Sequence, residues 1–259
     1  MVYICCMKKL KRQEEILSIL RVMQTEVSVD KLSGMLGVST LTIRRDLKEL
    51  AEQRAVIRTS GGCILGGRVA QESEYHKKVA SNFELKSKIG KRAARFVNPG
   101  DVIFIDDGST TFHLAVNLLH ISSLTIYTNS LVLVPELSRY PNISLNILGG
   151  EVNSHSYSVS GSITETILDN IRFDKVFMGA DAVDGWGKCF VKDTRYLRIT
   201  QMMLRSGEEK ILLADHTKVR THTGLAYASL NEFDYWITTS GNNGQQLENY
   251  DKMTNIIVV

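Results

Sequence analysis

The sequence is poor in cysteine and proline, and these absences exclude several classes of protein. Its four cysteines include no Cys-x-x-Cys pair, so neither a zinc module nor a disulfide framework is predicted. Only three prolines occur among 259 residues, which excludes a proline-rich linker or tail. We therefore expect free thiols in a reducing compartment, with no bound metal and no cofactor.

Long hydrophobic runs are absent as well. No apolar run approaches the roughly 18 residues that a membrane-spanning helix requires. Residues 1–7 are apolar, but they lack a leading basic region and a small-residue cleavage site, so they do not resemble a secretory signal. These patterns predict a cytoplasmic protein with no membrane partner.

Charge is distributed unevenly along the chain. Residues 1–62 contain eleven Lys or Arg and seven Asp or Glu, whereas the remainder contains twenty and twenty-one. A small basic module attached to a nearly neutral body is typical of proteins that bind the phosphate backbone of nucleic acids. A solvated basic face would give the same count, so charge alone leaves both interpretations open.

The basic module has the periodicity of three helices. Apolar residues recur at helical spacing near 16–23, again in 29–36, and again in 40–53, for which Ser39 is a suitable N-cap. The residues expected to point inward are Leu32, Met35 and Leu36 on the second helix and Leu41, Ile43, Leu47 and Leu50 on the third. Residues 55–59, followed by Gly61-Gly62, predict a short β-hairpin, or wing.

The turn between the second and third helices, Gly37-Val38-Ser39, has the layout of a helix-turn-helix. In that motif the second helix enters the major groove of double-stranded DNA, where hydroxyls contact phosphates and arginines reach phosphates or base edges. We therefore predict a winged helix-turn-helix in residues 1–62. The predicted DNA contacts are Ser39, Thr40, Thr42, Arg44 and Arg45 on the helix and Arg58 and Thr59 on the wing.

After a predicted connector of residues 63–82, the pattern changes to strands that alternate with helical or loop segments. Seven short apolar runs are expected to be strands: 102–105, 124–127, 144–148, 175–178, 211–214, 235–237 and 256–259. The alternation predicts an α/β domain in residues 83–259, with a mostly parallel sheet covered by helices on both faces.

Five of these runs are followed by polar or turn-forming residues. Because ligands of such sheets bind outside the carboxyl ends of the strands, we expect these residues to form one pocket. The predicted contacts are Asp107, Gly108, Ser109, Thr110, Thr111, Asn129, Ser130, Gly149, Gly150, Asp181, Asp215 and Lys218. The loop 108–111 precedes a predicted helix and would offer amides and hydroxyls to an anion, while the aspartates would accept hydrogen bonds from sugar hydroxyls.

Both halves resemble one family of proteins. VSTLTIRRDL (38–47) and IRTSGG (57–62) closely resemble the N-terminal domain of the DeoR family of bacterial regulators, and IDDGSTT (105–111), YTNS (127–130), LGG (148–150) and LADHTK (213–218) resemble its sensor motifs. The resemblance implies a C-terminal fold similar to ribose-5-phosphate isomerase and a phosphorylated sugar or related metabolite as effector. It also implies a homo-oligomeric repressor of a carbohydrate operon, a dimer or tetramer, that the effector releases from DNA.

The sequence departs from the family pattern at three places. Arg54 stands where a glycine usually precedes the wing, and Thr238-Thr239-Ser240 lacks the aspartate that usually follows the first threonine. Arg198, Thr200 and Gln201 replace an acidic residue and a Lys-Arg pair. These changes leave open which groups hold a phosphate, and Arg195 and Arg198 are candidates.

Two alternatives remain open. A sugar-phosphate isomerase fused to a DNA-binding module would need a carboxylate base, for which Asp181 or Asp184 is available, and an electrophile such as Lys218. The glycine-rich, lysine-led loop of such isomerases is absent at 185–189, so we favour a regulator that is not an enzyme. The other alternative is an architectural DNA-binding protein whose sensor domain binds no metabolite.

Overall fold

The computed structural model describes residues 9–23, 26–53, 55–65, 78–79, 81–221, 224–241 and 247–259. The chain divides into two compact units, residues 1–74 and residues 75–259. Each unit has its own hydrophobic core. Within the described ranges, no helix is both long and apolar enough to cross a membrane.

The N-terminal unit consists of three helices and a small antiparallel sheet. Its helices are α1 (Lys9–Met23), α2 (Val29–Leu36) and α3 (Thr40–Glu52), and its strands are β1 (Val27–Ser28), β2 (Val56–Arg58) and β3 (Gly62–Leu65). β3 lies between β1 and β2, and its Cys63 is fully buried in the core of the unit. Residues 63–65, which the sequence placed in the connector, thus belong to this sheet.

Local capping defines the helix-turn-helix. The Ser28 hydroxyl accepts a hydrogen bond from the Lys31 N–H at the start of α2, and the Ser39 hydroxyl accepts one from the Thr42 N–H at the start of α3. Between the two helices, Gly37 has a φ of 62°, a left-handed conformation in which a side chain is strained. The predicted N-cap and turn residues therefore end one helix and begin the next.

Two residues expected to point inward are exposed. Leu32, Ile43, Leu47 and Leu50 are buried, but Met35 is 52% exposed and Leu41 is 59% exposed, so the prediction was wrong for these two. Because successive helical residues are about 100° apart, the buried Ile43, Leu47 and Leu50 form one stripe on α3. Leu41 falls on the opposite side of the helix, and Met35 lies at the margin of the apolar stripe of α2.

A buried ion pair joins α1 to α3. The Arg12 guanidinium donates to both carboxylate oxygens of Asp46, at 2.6 and 3.1 Å, and the two side chains are only 10% and 2% exposed. Beside this pair, Lys9 and Gln13 on α1 donate to Glu49 on α3, at 2.6 and 3.0 Å. Bidentate pairs of this kind restrict orientation, so the rotation of α3 about its axis is fixed relative to α1.

The C-terminal unit contains a seven-stranded sheet in which every neighbouring pair is parallel. Its strands are β4 (Val102–Ile105), β5 (Leu124–Thr128), β6 (Ile143–Ile147), β9 (Phe173–Met178), β12 (Gly207–Leu213), β14 (Tyr235–Thr238) and β15 (Asn255–Val258). The order across the sheet is β15-β14-β12-β9-β4-β5-β6. All seven predicted runs are strands of this sheet.

Helices cover both faces of the sheet, as predicted. They are α4 (Phe83–Ala93), α5 (Ser109–Ala115), α6 (Leu133–Leu137), α7 (Ser162–Asp169) and α8 (Thr194–Arg205). Ile103 and Ile105 of β4 pack in a core with Leu114 of α5, whereas Phe104 packs in the other core with Ile199 of α8. This alternation follows from the strand period of two and shows that β4 is buried on both sides.

Short antiparallel elements that the sequence did not predict flank this sheet. β7 (Glu151–Asn153) and β8 (Ser158–Ser160) form a hairpin, and β11 (Lys188–Val191) pairs with both β10 (Ala182–Val183) and β13 (Leu225–Ser229). The bridge between Ser130 and Ser158 brings the β7–β8 hairpin against the end of β5. The hairpin thus borders the carboxyl edge of the large sheet.

Replacing Asp46 with asparagine is expected to lower the free energy of unfolding of the N-terminal unit by about 3–5 kcal/mol. The change removes the carboxylate of a buried pair and leaves the Arg12 charge inside the protein. Urea unfolding followed by circular dichroism measures the effect. Lys9→Ala, which removes an exposed pair with Glu49, serves as the control and is expected to cost less than about 1 kcal/mol. Equal effects of the two substitutions would contradict the special role of the buried pair.

Candidate functional site

The exposed face of α3 is predominantly basic. Arg44, Arg45, Lys48 and Leu41 are all exposed, and at about 100° per residue they share one side of the helix, opposite the buried stripe. Arginines at these positions can reach phosphates or guanine edges, and an exposed aliphatic side chain can contact the methyl group of thymine. Sequence analysis identified the two arginines as contacts. It missed Leu41, which it assigned to the core, and it did not include Lys48 among the predicted contacts.

The predicted hydroxyl residues lie at the N-terminus of α3. Thr40 is exposed, whereas the Ser39 and Thr42 hydroxyls are 2.9 Å apart and engage each other. Ser39 also caps the helix, so these two side chains shape the helix start. The first backbone N–H groups of α3, which have no partner within a helix, are therefore presented at the same end as the hydroxyls.

The two wing residues differ in their surroundings. Arg58 is exposed on β2. The Thr59 hydroxyl donates to the Glu26 carboxylate and accepts a hydrogen bond of 2.9 Å from the Gly62 N–H. Thr59 therefore holds the turn of the wing, and Arg58 is the wing side chain that remains available to a phosphate.

In the C-terminal unit, the loops after β4 and β9 meet. The Gly179 N–H donates to Asp106 Oδ2 at 3.0 Å, and a Cβ built on either Gly108 or Gly179 would lie 3.9 Å from the Cα of the other. Burial, together with the adjacent Asp107 carboxylate, raises the pKa of Asp106 well above its ordinary value. Asp106 thus joins the two loops through its carboxyl group, and sequence analysis did not include it among the predicted contacts.

The predicted anion loop leads into α5. Gly108 is the N-cap of this helix, and the buried Thr111 hydroxyl donates to the carbonyls of Asp106 and Gly108, at 2.6 and 2.7 Å. Thr111 therefore stabilises the loop through its side chain. Ser109 and Thr110 occupy the first turn of α5, where backbone N–H groups without helical partners favour negative charge.

Several polar atoms are buried at the carboxyl ends of the strands without a hydrogen-bond partner among the described residues. They are Asn129 Nδ2 and Oδ1, Ser130 Oγ, Asp215 Oδ2 and Thr238 Oγ1. Asn129 and Ser130 follow β5, Asp215 lies two residues past β12, and Thr238 ends β14. An unsatisfied buried polar group costs about 1–3 kcal/mol, so these atoms, which are distributed along the edge from β5 to β14, indicate an edge suited to polar ligands.

A positive charge lies close to this edge. Asp215 caps the short 3-10 turn His216–Lys218 through Oδ1, which accepts hydrogen bonds from the N–H and hydroxyl of Thr217. Burial lowers the pKa of Lys218, while the neighbouring carboxylates of Asp181 and Asp215 raise it. Within the described chain, no carboxylate forms an ion pair with the Lys218 ammonium, which leaves it available to an anion.

The remaining predicted contacts have structural partners. Asp181 Oδ2 accepts a hydrogen bond of 3.0 Å from the Lys192 N–H, and the Gly149 carbonyl accepts one of 2.5 Å from the Thr164 hydroxyl. Gly150 has a φ of 144°, and a Cβ there would collide with the Ser160 carbonyl. Gly149 thus contacts α7, and Gly150 permits the close approach of the chain to β8.

Two other candidates have partners that compete with their expected roles. Asp184 Oδ1 accepts hydrogen bonds from the N–H groups of Trp186 and Lys188, at 3.0 and 2.8 Å, so this carboxylate holds a turn. Arg198 is 73% exposed and pairs with Glu165 on α7 at 3.0 Å. The side chain of Arg195 lies outside the described part of the structure.

Sequence analysis also missed a hydroxyl cluster beside the edge. The Ser156 hydroxyl lies 2.7 Å from the Tyr196 hydroxyl and also 2.7 Å from the Ser158 hydroxyl. Burial and the negative charge of Asp107 raise the pKa of Tyr196. Because Tyr196 is 40 residues away from Ser156 in the sequence, spacing carried no signal that these hydroxyls meet.

Together, a winged helix-turn-helix with an exposed basic helix and an α/β unit with a polar edge define a DNA-binding regulator with a sensor domain. The family model described as "DeoR-like helix-turn-helix domain" matches residues 12–66 of this chain, and the family model described as "DeoR C terminal sensor domain" matches residues 81–240. The chain belongs to the DeoR family of transcriptional regulators, which confirms the resemblance found in its motifs. It is a regulator and not an enzyme.

Relatives of this chain are named as transcriptional regulators or repressors. The HTH-type transcriptional regulator YgbI of Escherichia coli is 34% identical over 215 residues, covering 83% of this chain and 84% of the relative. The HTH-type transcriptional repressor GlcR of Bacillus subtilis is 31% identical over 229 residues, covering 88% of each. The glycerol-3-phosphate regulon repressor of E. coli is 29% identical over 228 residues, covering 88% of this chain and 90% of the relative.

Among solved structures, ribose 5-phosphate isomerase A from Neisseria gonorrhoeae matches with 19% identity and a TM-score of 0.39. The match covers 54% of this chain and 55% of the isomerase chain, so the chain spans about half the length of that structure.

Arg44→Ala and Arg45→Ala are each expected to weaken operator binding by about tenfold or more, because each removes a predicted contact to a phosphate or a base edge. Fluorescence anisotropy at several salt concentrations measures both the affinity and its salt dependence. A lost phosphate contact reduces the slope of log affinity against log salt by about one. Arg95→Ala, an exposed arginine in the other unit, should change neither quantity. Unchanged affinity in both helix variants would exclude this face as the DNA contact.

Thr238→Val is expected to raise the free energy of unfolding of the C-terminal unit by about 1 kcal/mol, because the buried hydroxyl that it removes has no partner among the described residues. Thr254→Val is a matched control, since the buried Thr254 hydroxyl donates to the Phe233 carbonyl at 2.8 Å, and its loss should cost about 1 kcal/mol. Urea unfolding distinguishes the two signs. A destabilised Thr238→Val protein would contradict the assignment of an unsatisfied hydroxyl.

Proposed function

We propose that this chain represses a carbohydrate-utilisation operon and is released from its operator by a phosphorylated sugar or a related metabolite. The observation that carries the proposal is the set of unpartnered buried polar atoms along the carboxyl edge of the sheet, of which Asp215 lies close to Lys218. Amide, hydroxyl and carboxylate groups match sugar hydroxyls, whereas the ammonium and the N-terminus of α5 match a phosphate.

The relatives support this chemistry. One carries the name glycerol-3-phosphate regulon repressor, and another carries the name transcriptional repressor GlcR. Glycerol 3-phosphate, which the first name mentions, carries hydroxyls and a dianionic phosphate. We therefore propose a metabolite of this class for the present chain.

The DNA-bound form is proposed to be a homo-oligomer. Helix-turn-helix dimers read repeated half-sites through matched spacing, so two copies of the exposed α3 face would be required. A metabolite releases such a protein only if it binds the DNA-free arrangement more tightly than the DNA-bound one. Typical coupling free energies of about 1–3 kcal/mol correspond to a change in operator affinity of about 5- to 150-fold.

An operator-binding titration with a panel of sugar phosphates tests this function. We expect at least one phosphorylated compound to weaken the binding of the full chain to its own upstream DNA by about fivefold or more. The corresponding unphosphorylated sugars, at the same concentrations, are the control. Tight operator binding that no compound alters would instead support an architectural DNA-binding protein with an unresponsive sensor domain.

A further inference from the structure

Leu41 differs in its position from the other exposed apolar side chains of the N-terminal unit. Among the described residues of this unit, four large apolar residues are at least 44% exposed: Leu10, Met35, Leu41 and Ile57. Of these four, Leu41 is the one on α3, the helix predicted to enter the major groove. Single exposed leucines are common on protein surfaces, but this one lies among the residues predicted to contact DNA.

Leu41 lies within the basic face of α3 and not at its margin. At about 100° per residue, Arg44 and Arg45 lie about 60° and 40° from Leu41 around the helix axis, and Lys48 lies about 20° away. All three basic residues are exposed. A duplex that these cations attract would therefore meet the Leu41 side chain as well.

The hydrogen bonds of the first turn of α3 also favour a role for Leu41. The Ser39 and Thr42 hydroxyls engage each other at 2.9 Å, and Ser39 accepts from the Thr42 N–H, so both side chains are used within the turn. Thr40 and Leu41 remain exposed in the same turn. Because the N-terminal residues of a recognition helix contact base edges, Leu41 is placed where bases are read.

The chemistry of leucine restricts which base it can favour. Its side chain has no donor and no acceptor, so covering the polar edge of a base would remove that edge from water without a hydrogen bond in return. In the major groove, thymine presents an apolar group, its C5-methyl, whereas adenine, guanine and cytosine present donors and acceptors. An apolar side chain at this position therefore favours thymine.

We propose that Leu41 packs against the C5-methyl group of a thymine in the major groove, and that each operator half-site carries a thymine at this position. This contact presupposes the operator binding proposed above, but it is independent of the metabolite. Leu41 is then a residue that determines sequence specificity, in addition to the arginines that supply charge.

The spacing of the side chains along α3 limits where the thymine lies. Arg44 and Arg45 follow Leu41 by three and four residues, which is about 4.5–6 Å along a helix. Successive base pairs are about 3.4 Å apart. For a helix that lies along the groove, the thymine should lie within about two base pairs of a guanine that Arg44 or Arg45 contacts.

Fluorescence anisotropy with the full chain and its own upstream DNA tests the contact. Two duplexes of the same sequence are compared, one of which contains uracil in place of every thymine; uracil pairs in the same way but lacks the methyl group. Burial of one methyl group corresponds to about a fourfold change in affinity, so the unmodified chain should prefer the thymine duplex by about fourfold or more. Leu41→Ala should weaken binding to the thymine duplex and lose this preference.

Two further variants distinguish loss of the contact from general damage. Leu10→Ala removes an equally large apolar side chain, 75% exposed on α1, and should keep the full preference for thymine. Leu41→Met keeps an apolar side chain of similar volume and should retain the preference that Leu41→Ala loses. Because Leu41 is itself exposed, its substitution should leave the unit folded, which thermal melting checks.

Substitution of uracil at one position at a time then locates the thymine, and 7-deazaguanine, which lacks the N7 acceptor, locates the guanines. We expect the thymine whose replacement matters to the unmodified chain, but not to Leu41→Ala, to lie within about two base pairs of a sensitive guanine. A greater separation would contradict the proposed placement of α3 along the groove.

The outcomes separate this inference from the proposed function. Equal binding of the two duplexes by the unmodified chain, or a preference for thymine that Leu41→Ala retains in full, would overturn the role of Leu41; release of the operator by a sugar phosphate would still support the repressor function. A preference that depends on Leu41, combined with operator affinity that no compound alters, would support the inference and refute the proposed response to a metabolite.

Discussion

The pairing of β4 with β9 is the constraint on which the sensor site depends. On one side of this pair the sheet continues through β5 and β6, and on the other through β12, β14 and β15. Connections from the two halves run in opposite directions, which opens a crevice at the carboxyl edge of the sheet. The hydrogen bond from the Gly179 N–H to Asp106 Oδ2 joins the loops that follow β9 and β4 at this edge. The loops that carry Asp107, Asn129 and Asp215 all reach this edge from their own strands.

The edge is locally unfavourable, and the two cores on either face of the sheet compensate for it. A buried amide, two buried hydroxyls and a carboxylate oxygen lack partners among the described residues, and burial together with the Asp107 charge raises the pKa of Asp106. Phe104 and Ile105, the last two residues of β4, lie on opposite faces of the strand and are fully buried. Asp106 follows them directly in the sequence. Functional sites commonly retain such local conflicts because their polar groups are arranged for a ligand.

Sequence periodicity predicted the large sheet well, because buried parallel strands are short apolar runs whose polar neighbours mark their carboxyl ends. It failed for Met35, which lies at the margin of the apolar stripe of the short helix α2, and for Leu41, an apolar residue that lies opposite the buried stripe of α3. The Arg12–Asp46 pair carried no signal, because its burial depends on the packing of distant segments. The three-residue strands of the β7–β8 hairpin were too short to show a period.

The two units also differ in the sequence separation between the strands and side chains that pair within them. The pairing of Val27 with Cys63 and the ion pair of Arg12 with Asp46 are complete once residue 65 has been synthesised. The central strand β4 cannot complete its pairing, for example that of Ile103 with Lys175, until β9 has been synthesised. Of the strands in the large sheet, β15 comes latest in the sequence. Since distant pairings form slowly and domains tend to fold in the order of synthesis, we expect the N-terminal unit to fold first. A growing chain then has its helix-turn-helix domain before it has its sensor domain.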